Sequence, residues 1–573
     1  MEKAMQNVSR RGFVGLAGVA AAVAGTAALA GCSPSKKEKN EVASGDATKT
    51  TVVAGHERAG LPSFLVAPDP ITDIKKTLDF DVVVVGAGAA GVPAALAACE
   101  AGAHVALIQK EATAISQGNT ASGIITDQSN PAAAAALGQL LVKESAYRAD
   151  PELINVWIEN GGEAVKWVLD HVKEAGGSVI DQGNNQQSKA SNEVNGYSSL
   201  NYVTSYMGPK PYNNGEGMKV LAEVAAENGV EVFYNTPGEQ LVKDGDKVTG
   251  VIAKGEEGYI QFNAAKGVII ATGDYQNDEE MSNYYLPDLK YFGRKQSNKT
   301  GDGHKMIVWA GGKISNIVHT KMMHDFDAGP MWNMPFLAVK TATGERFMNE
   351  DQCYPMSYVA GANQPRHYSW IVWDGNYWED IAQFDTCGCS RLYPAPSGTA
   401  FNADVYDCEA MSKEHLDEFW LNPRLAAGTL KKADTLEELA EGMIAYADEE
   451  GWAHDYTVEA IVESINRYNE LVAAGNGDED FGKRDEYMVP IEAPCYAVPR
   501  GANNIDALVD GLWCDGNFQC LDVDMKPIEG LFAVGNASGP FFGNSNYPMD
   551  IEGLSVGRAI TTGFATGRYV AGL

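Results

Sequence analysis

Positive charge is scarce in this 573-residue sequence: 44 lysines and arginines face 76 acids, a net charge of −32. A chain this acidic repels phosphate backbones and anionic membrane faces, so no nucleic-acid partner is expected. The acidity itself reads as a solvated surface. Cysteine is thin as well. Nine in a chain of this length make no disulfide scaffold, none falls in a C-x-x-C pair, and there is no C-x-x-C-H haem attachment. Cys387 and Cys389 stand without the partners a metal site needs, so no metal is expected. The sequence also lacks an iron–sulfur cysteine set, a second nucleotide fingerprint and any internal repeat.

The N-terminus carries address signals. Ser9-Arg10-Arg11 followed by Phe13 resembles a twin-arginine export signal, and an Ala/Gly-rich apolar run follows it. The run closes on Leu29-Ala30-Gly31-Cys32, which resembles a lipoprotein box with Cys32 as the lipid-modified residue. A transmembrane anchor is the alternative, but the run is weakly apolar and Ser/Pro/Lys-rich sequence follows at once. The expectation is a signal peptide over 1–31, a polar linker over 32–77 and an extracytoplasmic protein lipid-anchored through Cys32.

The stretch 80–110 reads FDVVVVGAGAAGVPAALAACEAGAHVALIQK. Phe80 to Val85 is a run of β-formers, as in a strand buried on both faces. Gly86, Gly88 and Gly91, with Ala89 and Ala90 between, form G-x-G-x-x-G and open an Ala-rich helix; a second strand ends at Ile108. Strand, glycine turn, helix and strand together predict a dinucleotide site, with pyrophosphate at the helix N-terminus. The acid expected next, on the ribose hydroxyls, is here Gln109, followed by Lys110. Two further strands end in glycine: 266–278 at Ala271-Thr272-Gly273, and 530–539 at Gly535-Asn536, before a helix from about Leu554 and Ser555. Three such strands spread over the chain predict FAD. The segment SQGNTASG (116–123), with Asn119, Thr120, Ser122 and Gly123, resembles a loop lying along the flavin and lacks the histidine that tethers FAD in some relatives, so the FAD is expected to be noncovalent.

From about Asp79 to Leu573 the sequence resembles the flavoprotein subunits of fumarate reductase and succinate dehydrogenase and their soluble relatives. Besides the FAD segments, TGDGHKMIVWAGG (300–312), GERFMNE (344–350), DTLEELAEGM (434–443) and INRYNELVAAGNGDEDFGK (465–483) look like landmarks of that family. The resemblance implies an α/β fold: a discontinuous Rossmann-like FAD domain of the glutathione-reductase type (78–299 and 489–573) with an inserted α+β capping domain (300–488). In that family a mobile cap closes over the flavin, with substrate between.

Members that reduce fumarate hold both carboxylates with histidines, arginines and a threonine, and protonate with an arginine. Carried over by the resemblance, a cap histidine survives as His319. The other places fall in the apolar GPMWNMPF (329–336), at Tyr377 or Trp378, and on or beside Asn546 and Tyr547. A buried carboxylate without a cation costs several kcal/mol, so a small dicarboxylate is not the expected substrate. NYPMDIEG (546–553) resembles the Tyr-Pro segment of 3-ketosteroid dehydrogenases, which implies that Tyr547 and the Gly553 N–H polarise a substrate oxygen. Tyr547 packing beneath the flavin as a turn residue is the plainer reading.

The resulting expectation is hydride transfer from flavin N5 to an activated alkene, with Tyr377 as proton donor and His319, His324 and Arg366 behind it. Met322, Met323, Trp332 and Trp373 line an apolar pocket or are cap core. Electrons are expected from a membrane-associated or cytochrome/FMN donor, as in a respiratory terminal reductase. The same scaffold run backwards as a ketone-substrate desaturase, a surface lipoprotein that binds without turnover, and a fumarate- or urocanate-type reductase remain as alternatives.

Overall fold

A computed structural model describes residues 61–573 apart from 119, 182–199, 209–212, 295–296, 316–318, 325–336, 340–342, 352–358, 382–412, 502–503, 544–550 and 552. Cys32, Asn119, Trp332, Asn546 and Tyr547 therefore lie outside the described residues.

The Val82–Val85 run is buried on both faces, as its unbroken β-branched sequence requires. It belongs to the strand Ile74–Val85, at the centre of an eight-stranded sheet. Parallel neighbours are Val105–Ile108 on one side and Gly258–Ile270 on the other, with Pro527–Ala533 beyond Ile270 and Glu231–Phe233 beyond Ile108. The register pairs Val85 with both Ile108 and Ile270, and Ile270 with Ala533. Five parallel strands drawn from three distant parts of the chain thus end side by side. The edge beyond the carboxyl ends of such strands is where an open α/β sheet binds ligands.

The C-terminal helix Leu554–Ala571 lies over this edge, against the nucleotide helix Gly91–Glu100 and the helix Pro151–Glu174. Its glycines allow the approach. A Cβ at Gly563 would stand 2.0 Å from the Ala90 carbonyl oxygen, and one at Gly557 would stand 1.8 Å from that of Ser122. A three-stranded sheet of Thr120–Ile124, Tyr202–Met207 and Val179–Asp181 packs on the helix Pro151–Glu174.

The inserted α+β body has its own four-stranded antiparallel sheet, in the order Leu337–Val339, Tyr368–Asp374, Cys495–Gly501, Lys431–Ala433. Alternation along Tyr368–Asp374 divides its core. Tyr368, Trp370 and Val372 face the helices Leu436–Glu449 and Val458–Ala474, while Ile371 and Trp373 pack with Tyr377 and Tyr487. Two elements lie across a 300–488 division. Cys495–Gly501 is a strand of the inserted sheet, and the helix Asp302–Trp309 puts Met306 and Ile307 into the core of the main sheet.

Candidate active site

A cleft of about 460 Å³ runs along the aligned strand ends. At its floor Gly86 has φ +107°, and a Cβ there would sit 2.5 Å from the Ala271 carbonyl oxygen. A Cβ at Gly91 would stand only 1.8 Å from the Gly86 oxygen, so this glycine packs the helix onto the turn rather than touching a ligand. Gly86, Gly88, Ala89 and Ala90 do line the cleft. The nucleotide helix has no acid in its first turn, which leaves its N-terminal N–H groups and dipole for an anion. Ala271, Thr272, Gly273, Gly535, Asn536, Leu554 and Ser555 line it from the other strand ends and the C-terminal helix.

Gln109 faces the cleft with its amide closed on its own loop. Its Nε2 donates to the Thr113 carbonyl at 3.2 Å, and its Oε1 accepts the Lys110 N–H at 2.9 Å. The charged groups at this end are instead Lys110 and Asp302, 2.8 Å apart, with Thr300 bridging both. Thr120 lines the cleft, whereas Ser122 and Gly123 lie behind it. The Ser122 carbonyl accepts the Trp157 indole N–H at 3.1 Å, and a Cβ at Gly123 would stand 2.1 Å from the Gly161 carbonyl. The glycine-and-serine pattern there serves strand-on-helix packing.

Sequence reasoning missed several lining residues. Gln117 donates to the Asp506 carbonyl at 2.7 Å, tying the flavin-side loop to the strand Asn504–Val509. Asn298 and Lys299 also line the cleft, and so does Met322, which the sequence offered as a pocket or core residue. Of these only Gln117 stands inside a segment that resembles a flavin contact. The Asn298 amide oxygen and the Thr272 hydroxyl are buried with no hydrogen-bond partner among the described residues. Polar groups orphaned in this way fit a polar ligand such as a dinucleotide.

Two candidate catalytic residues are placed elsewhere. His319 is 1% exposed and absent from the cleft wall. One ring nitrogen meets the Tyr275 hydroxyl, the other the Ser315 carbonyl at 2.8 Å, and Tyr285 stacks on its face. Burial pushes its pKa down to about 4, so it stays neutral. Tyr377 is also 1% exposed, inside the inserted body, and donates its hydroxyl to Asp417. Burial, then that carboxylate, raises its pKa. Neither is brought to the cleft. Trp373 is likewise core of the inserted body, and Met323 is core of another cluster. His324 lies two residues beyond Met322 in the strand Thr320–His324. Gly553 does reach the cleft. With φ +75° it opens the C-terminal helix, and its carbonyl accepts the Ser122 N–H at 3.1 Å.

A model of the family described as FAD binding domain matches residues 81–546. The chain belongs to this family. Its cofactor is FAD, and it is an FAD-dependent oxidoreductase. Among curated relatives, "Probable fumarate reductase Ifc3" of Shewanella frigidimarina is 26% identical over 87% of this chain and 81% of its own length. A vinyl phenol reductase of Lactiplantibacillus plantarum is 26% identical over 86% and 96%. A urocanate reductase of Eggerthella lenta is 25% identical over 82% and 71%. The fold is shared with a 3-ketosteroid-delta4-(5alpha)-dehydrogenase of Rhodococcus jostii, at TM-score 0.61 and 20% identity over 87% of this chain and 98% of that one. It is also that of an open flavocytochrome c3 fumarate reductase, at TM-score 0.56 and 24% identity over 87% and 79%.

Proposed function

We propose that this protein is an exported terminal reductase that saturates an activated C=C bond of an aromatic, enone or other non-dicarboxylate substrate. The observation that carries the reading is where the cations lie. Among the described residues of the cleft wall there is no arginine and no histidine, and the lysines there are Lys110, paired with Asp302, and Lys299. Two carboxylates entering such a site would go largely unpaired. Relatives named for vinyl phenol and urocanate support a family tolerant of substrates other than fumarate.

FAD held along Gly86, Gly88, Thr272 and Gly535 would, once reduced, be the source of hydride for the β-carbon of the alkene. Tyr547 and the Gly553 N–H hold the activating oxygen as negative charge gathers on it. With Tyr377 and His319 engaged elsewhere, His324 and Arg366 are the remaining candidates for proton donor to the α-carbon. The two electrons come from a membrane-associated or cytochrome/FMN donor, in keeping with the Ser9-Arg10-Arg11 and Cys32 signals.

The test is anaerobic. The flavin is reduced chemically and its spectrum followed while fumarate, urocanate, cinnamate, 4-vinylphenol or cyclohex-2-enone is added. Fast reoxidation by an aryl alkene or enone is expected, with Tyr547→Phe slower by about 100-fold. Fumarate as the best oxidant would overturn the reading. Faster turnover of a saturated ketone with an artificial acceptor would reverse its direction.

A further inference from the structure

The strand Asn504–Val509 runs antiparallel to Thr320–His324, with Ala507 opposite Met322 but Ile505 opposite Met323. Asp506 is the residue left over, the extra member of a β-bulge. A bulge bends its strand and re-aims the side chain it carries. Ile505 and Ala507, on either side, are both 0% exposed and enter two separate cores. Asp506 is the one residue of 505–510 that is not buried, and it lines the cleft.

The bulge is held through its backbone. The Asp506 carbonyl accepts the Gln117 side-chain amide at 2.7 Å and that of the fully buried Gln276 at 3.3 Å. Across the bulge the Met322 thioether accepts the Ser555 hydroxyl at 3.2 Å, and Gln117, Met322 and Ser555 all line the cleft. The described cleft wall carries four charged residues. Lys110 and Asp302 pair with each other, while Lys299 stands over Gly273 and acts on the buried Asp274. Asp506 is the fourth, set among Gln117, Met322 and Ser555. A carboxylate offers about four acceptor sites and no donor. A ligand that closes over it strips its water. An apolar or ether group there leaves the charge poorly solvated, and a second carboxylate adds like-charge repulsion. An O–H or N–H instead replaces the water with a charge-assisted hydrogen bond.

We propose that Asp506 is a specificity-determining residue of the substrate site: its carboxylate takes a proton-donating head group of the alkene, a phenolic O–H or an imidazole N–H. The inference rests on the alkene-reductase reading and narrows its substrate class from any non-dicarboxylate to one with a hydrogen-bond donor away from the double bond.

Binding is measured first, without turnover. The holoenzyme with oxidised flavin is titrated with 4-ethylphenol and with 4-ethylanisole, its methyl ether, and the change in flavin absorbance gives each Kd. The wild type should prefer the phenol by about 10- to 100-fold. Asp506→Asn leaves the backbone anchors in place, so it should keep its flavin and lower the preference below about 5-fold by weakening the phenol alone. A purely structural role would weaken both ligands alike, and that result overturns the proposal. Equal wild-type affinities overturn it as well, with no need of a variant that folds. Reoxidation of the reduced flavin then separates the two head groups, with 4-vinylphenol set against 4-methoxystyrene and urocanate against N-methylurocanate. The pair with the larger ratio in the wild type, lost in Asp506→Asn, names the head group. Ratios near one for both pairs refute the assignment. A phenol preference that depends on Asp506, with no alkene able to reoxidise the flavin, would refute the reductase reading and leave the Asp506 contact standing.

Discussion

Replacing Arg346 by methionine tests what the GERFMNE landmark is for. The Arg346 side chain is 6% exposed and donates four hydrogen bonds. Nε and one terminal nitrogen bind Glu350 at 2.8 and 2.7 Å, and both terminal nitrogens bind Asp478 at 3.0 and 2.7 Å. Tyr468 and Phe481 cover the guanidinium at 5.1 and 4.9 Å. Removing the arginine leaves two buried carboxylates with one remaining cation, Lys483, which is 3.5 Å from Glu350. Stranding a buried charge in this way costs about 3–5 kcal/mol. Asp478→Asn added to Arg346→Met should recover part of this, since the amide oxygen still accepts the Asp480 and Phe481 N–H groups while the NH2 group faces the Lys483 N–H. Burial pushes the Asp478 carboxyl up, but the Arg346 and backbone hydrogen bonds carry it down to about 2, below its unfolded value. Its stabilisation is therefore present above about pH 4 and lost as pH falls towards 2, and the gap between wild type and Arg346→Met should narrow over that window. Urea unfolding followed by tryptophan fluorescence at pH 7, pH 4 and about pH 2.5 measures both effects. A cost below about 1 kcal/mol at pH 7 would refute the reasoning.

Gly91→Ala should abolish flavin retention, read as the ratio of absorbance at the flavin band to that of protein, because the new methyl would meet the Gly86 oxygen at 1.8 Å. Gly102→Ala is the control: φ is +94° but nothing lies within 4 Å of the new Cβ, so it should cost about 1 kcal/mol and keep the flavin. Burial pushes His304 down to about 3 and His319 down to about 4. Both stay neutral in the fold while the unfolded chain takes up protons below about pH 6.5, so stability should fall with pH from there towards 4, by about 2 kcal/mol per histidine at pH 5. The His304 ring makes no hydrogen bond of good geometry, the Asp510 backbone being the polar group beside it. His304→Met should therefore be nearly neutral at pH 7 and more stable than wild type by about 2 kcal/mol at pH 5, measured by urea unfolding at each pH.

The cofactor half of this site is written locally. Val82–Val85, Ile269–Ile270 and Leu531–Ala533 are continuous β-formers followed within two or three residues by glycine, and strand burial and turn geometry both follow from that neighbourhood. What the sequence hides is pairing at a distance. Lys110 finds Asp302 192 residues on, and nothing near Gln109 tells that its amide will close on Thr113. Gly123 looks like a loop glycine until Gly161 arrives against it. The places of His319 and Tyr377 along the chain point to catalysis, and the fold takes both away from the cleft. Their burial depends on Tyr275, 44 residues before, and Asp417, 40 residues after. The inserted sheet is of the same kind, since Cys495–Gly501 pairs with Tyr368–Asp374 across more than a hundred residues of sequence.

The disposition of arginine bears on substrate choice. Arg346 is committed to Glu350 and Asp478, Arg467 to Asp480, Arg484 to Asp351 and Glu486, and Arg568 to Glu163. Arg558, on the C-terminal helix at the dinucleotide edge, donates to the Asn536 side chain at 3.1 Å and to the Ser538 carbonyl at 3.5 Å. Each of these guanidinium groups already satisfies a carboxylate or a carbonyl in the protein, and moving one to a substrate would strand its present partner. On the described cleft wall a dianion would meet only Lys299 and Lys110, the latter already paired with Asp302. At several kcal/mol for each unpaired carboxylate, the deficit amounts to a factor of about 100 or more in rate at equal concentration. An uncharged aryl alkene or enone incurs none of it and needs one polarised oxygen. The ratio of reoxidation rates for cyclohex-2-enone over fumarate should therefore exceed about 100. It should collapse towards one in a variant that adds a cation to the cleft wall, such as Met322→Arg.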